Sequence, residues 1–472
     1  MTAAWAGFLH GEHWRSPATL WVEAGVEHEW RQVDRLAAAI EAVIRRHPAA
    51  RVVQVRSGSK LGCFAGQLAA WRAGRVAVAD LGDLEPDALA RVGPDLVLDV
   101  AVGASSTVEP VRGPAERRPG GRVPPEVVAV NFSSGTTGTR KAVAVTSGNL
   151  LALFACRGLD VAVAGGPTAG SFATPAFDGW WFDTWKTVAA GGRVVCLPNV
   201  NEDIFAWPDL VAEHCVDRVL LPAAVVATLV EAVPDCIADI PWVFSGGEQF
   251  QLSTYRRARA AGLTNRFVNL YGPTEATFAT HRYDLPERPP ATAVPIGRPL
   301  DGCRQLLRAP DGLGSGSSEL VVTGPLVCAG YLDAGALRHR FGPDGRASYR
   351  TGDLVRVDDG GDIVFAGRLD SQLKVNGRRV DAAALERRVS GLPDVSDCRV
   401  VQNGRDTVAF VRADAGPATD PLSRGRLEAV VREFSPAITV RIVPRFPTKA
   451  GGKVDTVSLM HSHRATDKGG AT

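Results

Sequence analysis

At 472 residues the chain is long enough for about two to four domains, each with a core of its own. Hydrophobic residues make up 45% and charged residues 22%, a balance that excludes a chain dominated by disorder. Fifty-three Lys and Arg against 51 Asp and Glu leave a net charge of +2, so no global field points to nucleic acid or an acidic membrane as partner.

The amino terminus reaches Glu12 and His13 before any long apolar run and does not read as a secretory signal. No stretch of about 18 residues is free of charges and turn formers, so no membrane-spanning helix is expected, and the protein reads as soluble and cytoplasmic. The eight cysteines are scattered without a C-x-x-C pair and read as small buried hydrophobes rather than as a zinc site or a disulfide framework.

In chain order, Trp30 to Arg46 carries apolar residues at helical spacing, and Arg51 to Val55 reads as a short buried strand. This alternation predicts a parallel or mixed sheet covered by helices. Val108 to Pro125, rich in Pro, Gly and Arg, reads as a surface loop. Val127 to Phe132 reads as a strand running into a Gly/Ser/Thr loop, and Arg193–Leu197, Arg218–Leu221 and Trp242–Phe244 are further strand candidates. Beyond about residue 300 the texture changes to hairpins, with short strands at Glu319–Val322 and Asp362–Phe365 around the turn signal Asp359-Gly360-Gly361. From Ser371 a small α+β domain is expected, with helices near Ala382–Val389 and Arg424–Phe434 and a frayed end from Ser462.

Ser133-Ser134-Gly135-Thr136-Thr137-Gly138-Thr139-Arg140-Lys141 offers backbone N–H groups, hydroxyls and two cations after a strand, which suits a polyphosphate. The glycine spacing is not that of a P-loop. The run resembles the phosphate loop of the adenylate-forming superfamily of acyl-CoA synthetases, luciferases and nonribosomal peptide synthetase adenylation domains. Four more of that superfamily's motifs follow in order: Asn269 to Glu275, Tyr349 to Leu354, Gly367 to Lys374, and Pro447 to Lys453.

The resemblance implies an α/β architecture. A large N-terminal domain of mixed sheets packed with helices, with a β-hairpin subdomain, would occupy residues 1–369, and a small mobile α+β domain residues 370–472. Asp370 would be the hinge between two half-reactions. It further implies ATP and Mg²⁺. Ser133, Ser134, Gly135, Thr136, Thr137, Gly138, Lys141, Gly247, Asn269, Tyr271, Gly272, Thr274, Asp353 and Arg368 would surround the nucleotide. Within that set Tyr271 would stack on adenine and Asp353 would accept the ribose hydroxyls. Glu275 would ligate Mg²⁺, and Lys453 would meet both the carboxylate and ATP where negative charge builds up. Around these motifs the chain departs from the family pattern: Arg140 and Ala142 flank Lys141 in place of proline and glycine, and Thr448 directly follows Pro447.

By the same resemblance, Asp178, directly after Phe177, would pair with a substrate ammonium, and a helix-capping role for Asp178 or a substitute role for Asp183 are the rival readings. Gly179, Phe182, Leu220, Phe244, Gly246, Leu270, Phe278 and Ala279 would line the rest of the substrate pocket, with Lys453 at the carboxylate. None of the eight carries charge or a hydrogen-bonding side chain, so an apolar amino acid is favoured. Three Phe argue for modest volume and two Gly for open space, which leaves size undecided. With no carrier segment or phosphopantetheine attachment site legible, the chain reads as a freestanding enzyme of natural-product biosynthesis. Its partners would be a carrier protein in trans and, where needed, a small helper protein. The alternative is an acyl- or aryl-CoA ligase using the same chemistry.

Overall fold

The computed structural model describes every residue except 1, 12–18, 104–105, 113–122, 134–139, 164–165, 201, 289, 291–292, 310–316, 343–346, 370–371, 376–377, 393–394, 404–405, 414–420, 449–453 and 469–472. Asp370, Lys453 and the loop from Ser134 to Thr139 lie outside the described residues.

Runs of Val and Ala with no polar alternation build the centre of an eight-stranded mixed sheet. Leu96–Ala101, Val52–Arg56, Val76–Asp80 and Val127–Ser133 run parallel, and antiparallel strands flank them on both sides. Helix Lys60–Arg72 is buried from Leu61 to Trp71, as expected for a helix apolar all round. A Cβ at its Gly66 would sit 2.3 Å from Val55 Cγ1, so the missing side chain lets helix and strand touch.

A nine-stranded sheet lies beyond it. Thr168–Ser171, Arg218–Pro222, Trp242–Gly246 and Arg266–Tyr271 are parallel at its centre, followed by antiparallel His281–Asp284. The two-residue period sorts its side chains. Val219, Leu221, Val243 and Phe267 enter one core, while Leu220, Phe244, Val268 and Leu270 enter another that also holds Val53, Ala77 and Val143 of the first sheet. Helix Lys60–Arg72 and a helix at 179–189 therefore share one core between the two sheets. The second of these widens to a π-helix over Trp181–Lys186. Gln67, 1% exposed, bridges the two helices by accepting from the indoles of Trp180 and Trp185 at 2.8 Å each.

Arg304–Arg308, Ser318–Thr323, Ser348–Val357 and Ile363–Arg368 then form a four-stranded antiparallel sheet. After it, a hairpin, the helices Ala382–Ser390 and Pro421–Phe434, and a three-stranded sheet enclose a separate core around Leu385, Val389, Val411 and Val431. Among the described residues, no helix is long and apolar enough to cross a membrane.

Two sequence expectations need correction. Part of the expected loop from Val108 is strand Thr107–Arg112, an edge partner of Leu96–Ala101. It carries Pro110, which an edge strand tolerates because one side of the ladder needs no donor. Residues 462–468 of the expected frayed end belong to a helix, Thr456–Lys468, whose Leu459 and Met460 bury against Val408 and Phe410. Five of the eight thiols are buried, and all eight are free.

Candidate active site

The candidate residues collect at the carboxyl ends of the parallel strands of the nine-stranded sheet, where open α/β sheets bind their ligands. Its wall begins with the loop that leaves strand Thr168–Ser171. Asn131, fully buried, accepts from the Trp181 indole and donates to the Ala176 carbonyl at 3.3 Å, while Phe132 N donates to the same carbonyl at 3.1 Å. The strand preceding the Gly/Ser/Thr loop thus fixes the segment that carries Asp178. Arg140, which stands where the resemblance expects proline, lays its guanidinium 5.1 Å from the Phe177 ring centre.

Asp178 is half-buried, one residue before Gly179. Its rival, Asp183, is 1% exposed and already engaged. The Asp183 carboxylate accepts from Phe172 N at 3.0 Å, Ala173 N at 2.8 Å and the Thr184 hydroxyl at 2.8 Å. Burial pushes its pKa up to about 6, against the opposing pull of Lys60 and those three donors. Asp183 therefore holds the loop in place.

The eight apolar residues that the sequence assigns to the substrate pocket come together. Phe182 stacks on Phe278 at 5.3 Å and 14°, and meets Phe244 edge-on at 5.0 Å. Leu220 covers Gly179, and Leu270 covers Gly246. Ala279 is buried in the same core. Behind Phe182 lies a cation that sequence reasoning missed. Arg218, 2% exposed, sets its guanidinium 4.8 Å from the Phe182 ring centre and donates to Thr187 Oγ1 at 2.7 Å. Desolvation lowers its pKa to about 10. The signal was present: an Arg opening the apolar run Val219-Leu220-Leu221 shares a face with Leu220.

A polar cluster adjoins the rings. Asp353, 7% exposed, accepts from the Tyr271 hydroxyl at 2.5 Å and from Arg368 Nη1 at 2.6 Å. Burial and the Asp353 charge push the Tyr271 phenol well up, so it stays a donor. Tyr271 meets this carboxylate through its hydroxyl, a contact the sequence did not suggest. Glu275, also 7% exposed, receives the Tyr331 hydroxyl, which lies 3.3 Å from that of Tyr349. Tyr331 was not anticipated, and its ring also faces Lys141 Nζ at 5.1 Å. Asn269, by contrast, uses its amide on the Pro295 carbonyl at 2.8 Å. Gly247 takes a positive φ of 81°, which favours glycine. A Cβ on Gly272 would stand 2.3 Å from the Phe278 carbonyl, so glycine permits the close crossing of those backbones. Thr274 opens the single turn that carries Glu275, and Ser133 closes its strand next to the undescribed loop.

The C-terminal segment reaches this region. Val454 N donates to Glu248 Oε1 at 3.3 Å, two residues beyond Gly246 in sequence, and Asp455 N closes back on the Pro447 carbonyl at 2.7 Å. Thr448 and Val454 pair as an isolated bridge.

The sequence matches the family described as AMP-binding enzyme over residues 16–332. It is 32% identical over 352 residues to the probable non-canonical nonribosomal peptide synthetase CymA of Salinispora arenicola, covering 70% of this chain and 4% of that protein. It is 31% identical over 374 residues to novobiocin biosynthesis protein H of Streptomyces niveus, covering 73% and 59%. The chain thus spans only part of the length of these relatives. The crystal structure of IdnL7 superposes with a TM-score of 0.76 at 25% identity, over 97% of this chain and 98% of that one. With the ordered motifs and these likenesses in agreement, the chain belongs to the AMP-binding enzyme family, the adenylate-forming enzymes.

Proposed function

We propose that the protein activates an apolar amino acid with ATP and passes it, as the aminoacyl group, to the phosphopantetheine thiol of a separate carrier protein. The carboxylate oxygen attacks the α-phosphorus, the bond to the β-phosphate oxygen breaks, and pyrophosphate leaves. The thiolate then attacks the acyl carbonyl and AMP departs.

The observation that carries this reading is the contrast between two carboxylates five residues apart. Asp183 is 1% exposed and accepts from the loop's own N–H groups, whereas Asp178 is only half-buried and directly precedes Gly179, the first of the eight apolar residues, where a cationic amine would be its complement. The residues present also suit ATP and Mg²⁺. Glu275 supplies a hard oxygen of the kind Mg²⁺ prefers, and the buried Ser245 hydroxyl beside Gly246 finds no partner among the described residues. Glu275 would hold Mg²⁺, which would neutralise phosphate charge. Asp353, oriented by Tyr271 and Arg368, would receive the ribose. Lys453 would approach the carboxylate from a C-terminal unit, residues 370–472, that turns about Asp370 between the two steps.

Amino-acid-dependent pyrophosphate release tests the reading. Asp178→Asn should lower turnover of amine-bearing acids by about 10²–10³-fold, the loss expected for one preorganised charge contact. Release confined to acids without an amine would overturn the amino-acid reading and leave an acyl- or aryl-CoA ligase.

A further inference from the structure

Three packed rings and two backed glycines decide what the sequence left open, the size of the acid. Phe182, Phe244 and Phe278 are 1%, 0% and 8% exposed, and the first touches both of the others. The space that Gly179 and Gly246 were expected to open is taken. A Cβ on Gly179 would stand 3.1 Å from Leu220 Cδ2 and 3.2 Å from Ala173 Cβ. One on Gly246 would stand 2.9 Å from the Leu270 carbonyl oxygen. Of the three rings Phe278 is the most exposed, at 8%, as is Leu220, while Gly246 is half-buried.

Each ring is also held from behind. Phe182 rests on the Arg218 guanidinium, itself tied to Thr187, so moving the ring uncovers a buried cation. Phe244 has the Arg282 guanidinium 5.8 Å from its ring centre, and Arg282 is forked onto Asp284 at 2.8 and 2.6 Å. Phe278 follows Thr277, a fully buried β-branched residue at φ 69° whose hydroxyl donates to the Leu326 carbonyl at 2.5 Å. That backbone conformation persists only where its surroundings enforce it. A close-packed wall fixed at three points yields little to an incoming side chain.

We propose that the pocket selects a small amino acid, with a side chain of no more than about two carbons, the class of glycine, alanine and β-alanine. This rests on the amino-acid reading above. Phe278 is the specificity-determining residue, because it is the most exposed of the three rings and has no cation behind it among the described contacts.

The test is ATP–pyrophosphate exchange by the full chain over glycine, alanine, β-alanine, 2-aminobutyrate, valine, leucine and phenylalanine, with propionate and benzoate as amine-free controls. The small members should lead. Each methylene beyond the limit should cost about 10–200-fold in kcat/KM. Phe278→Ala should move the optimum to leucine or phenylalanine, and the better-filled Phe278→Leu should move it part of the way while guarding against a folding defect. A wild-type optimum at leucine or phenylalanine, or an unchanged order in both variants, overturns the size assignment and leaves the amino-acid reading standing. Exchange with the controls alone, or with no acid at all, overturns that reading and the size assignment with it.

Discussion

The ring-lined pocket and the polar cluster meet along residues 271–279, and they bury charge in opposite ways. The pocket hides its charges behind other groups. Arg218 lies under the Phe182 ring, and Asp183 is turned toward two backbone N–H groups and a hydroxyl. The polar cluster instead pairs its buried carboxylates directly with side-chain donors: Asp353 with Tyr271 and Arg368, Glu275 with Tyr331. The first arrangement lets charge support an apolar wall. The second holds two carboxylates in fixed orientation by phenolic and charge-assisted hydrogen bonds. Charge behind the rings therefore serves shape, and charge in the polar cluster serves orientation.

The largest effect that would break this comparison belongs to Asp183. Folding raises its pKa from 3.8 to about 6, so between those values the native protein keeps a proton that the unfolded chain has released. The stability it contributes is present below about pH 4 and is lost as pH rises through 6, by about 3 kcal/mol in all. In Asp183→Asn this dependence should vanish. Denaturant unfolding of both proteins at pH 4 and pH 7 measures it, and a difference independent of pH would mean that the carboxylate is not buried as described.

A smaller effect is expected at Asp353. Asp353→Asn removes a charge-assisted contact to Arg368, and the KM for ATP should rise about 10–30-fold, with the preference among amino acids unchanged. A change in amino-acid order with KM for ATP intact would show that the two regions are not separable. The smallest belongs to Tyr331→Phe, which deletes one donor to Glu275 and should lower kcat/KM about 2–10-fold. A loss beyond a hundredfold would place Tyr331 in the chemistry.

The motifs were legible because their residue types are constrained by what they contact, and the buried strands because runs such as Val127 to Val130 are apolar on both faces. Strand Thr107–Arg112 was hidden by Pro110 and its charged edge composition, and helix Thr456–Lys468 by buried apolar positions too few to stand out in a polar segment. Side-chain engagement was the harder part. Nothing in the order of residues says that Asp183 is turned into the loop, that Leu220 fills the room beside Gly179, or that Tyr331 crosses to Glu275. Those facts depend on which strands lie side by side, and a buried Arg within an apolar run is the one such feature with a mark in the sequence.

The π-helix over Trp181–Lys186 places Phe182, Asp183 and Lys186 on one continuous stretch of backbone with a turn wider than α. Deleting a single residue there would tighten the turn and rotate everything after it by about 100°. Lys186, now 2.8 Å from Asp160, and Thr187, now 2.7 Å from Arg218, would leave their partners together. The molecule thus accommodates exchange of letters at this wall far more readily than a change in their number, and its repertoire should drift by substitution while its spacing stays frozen.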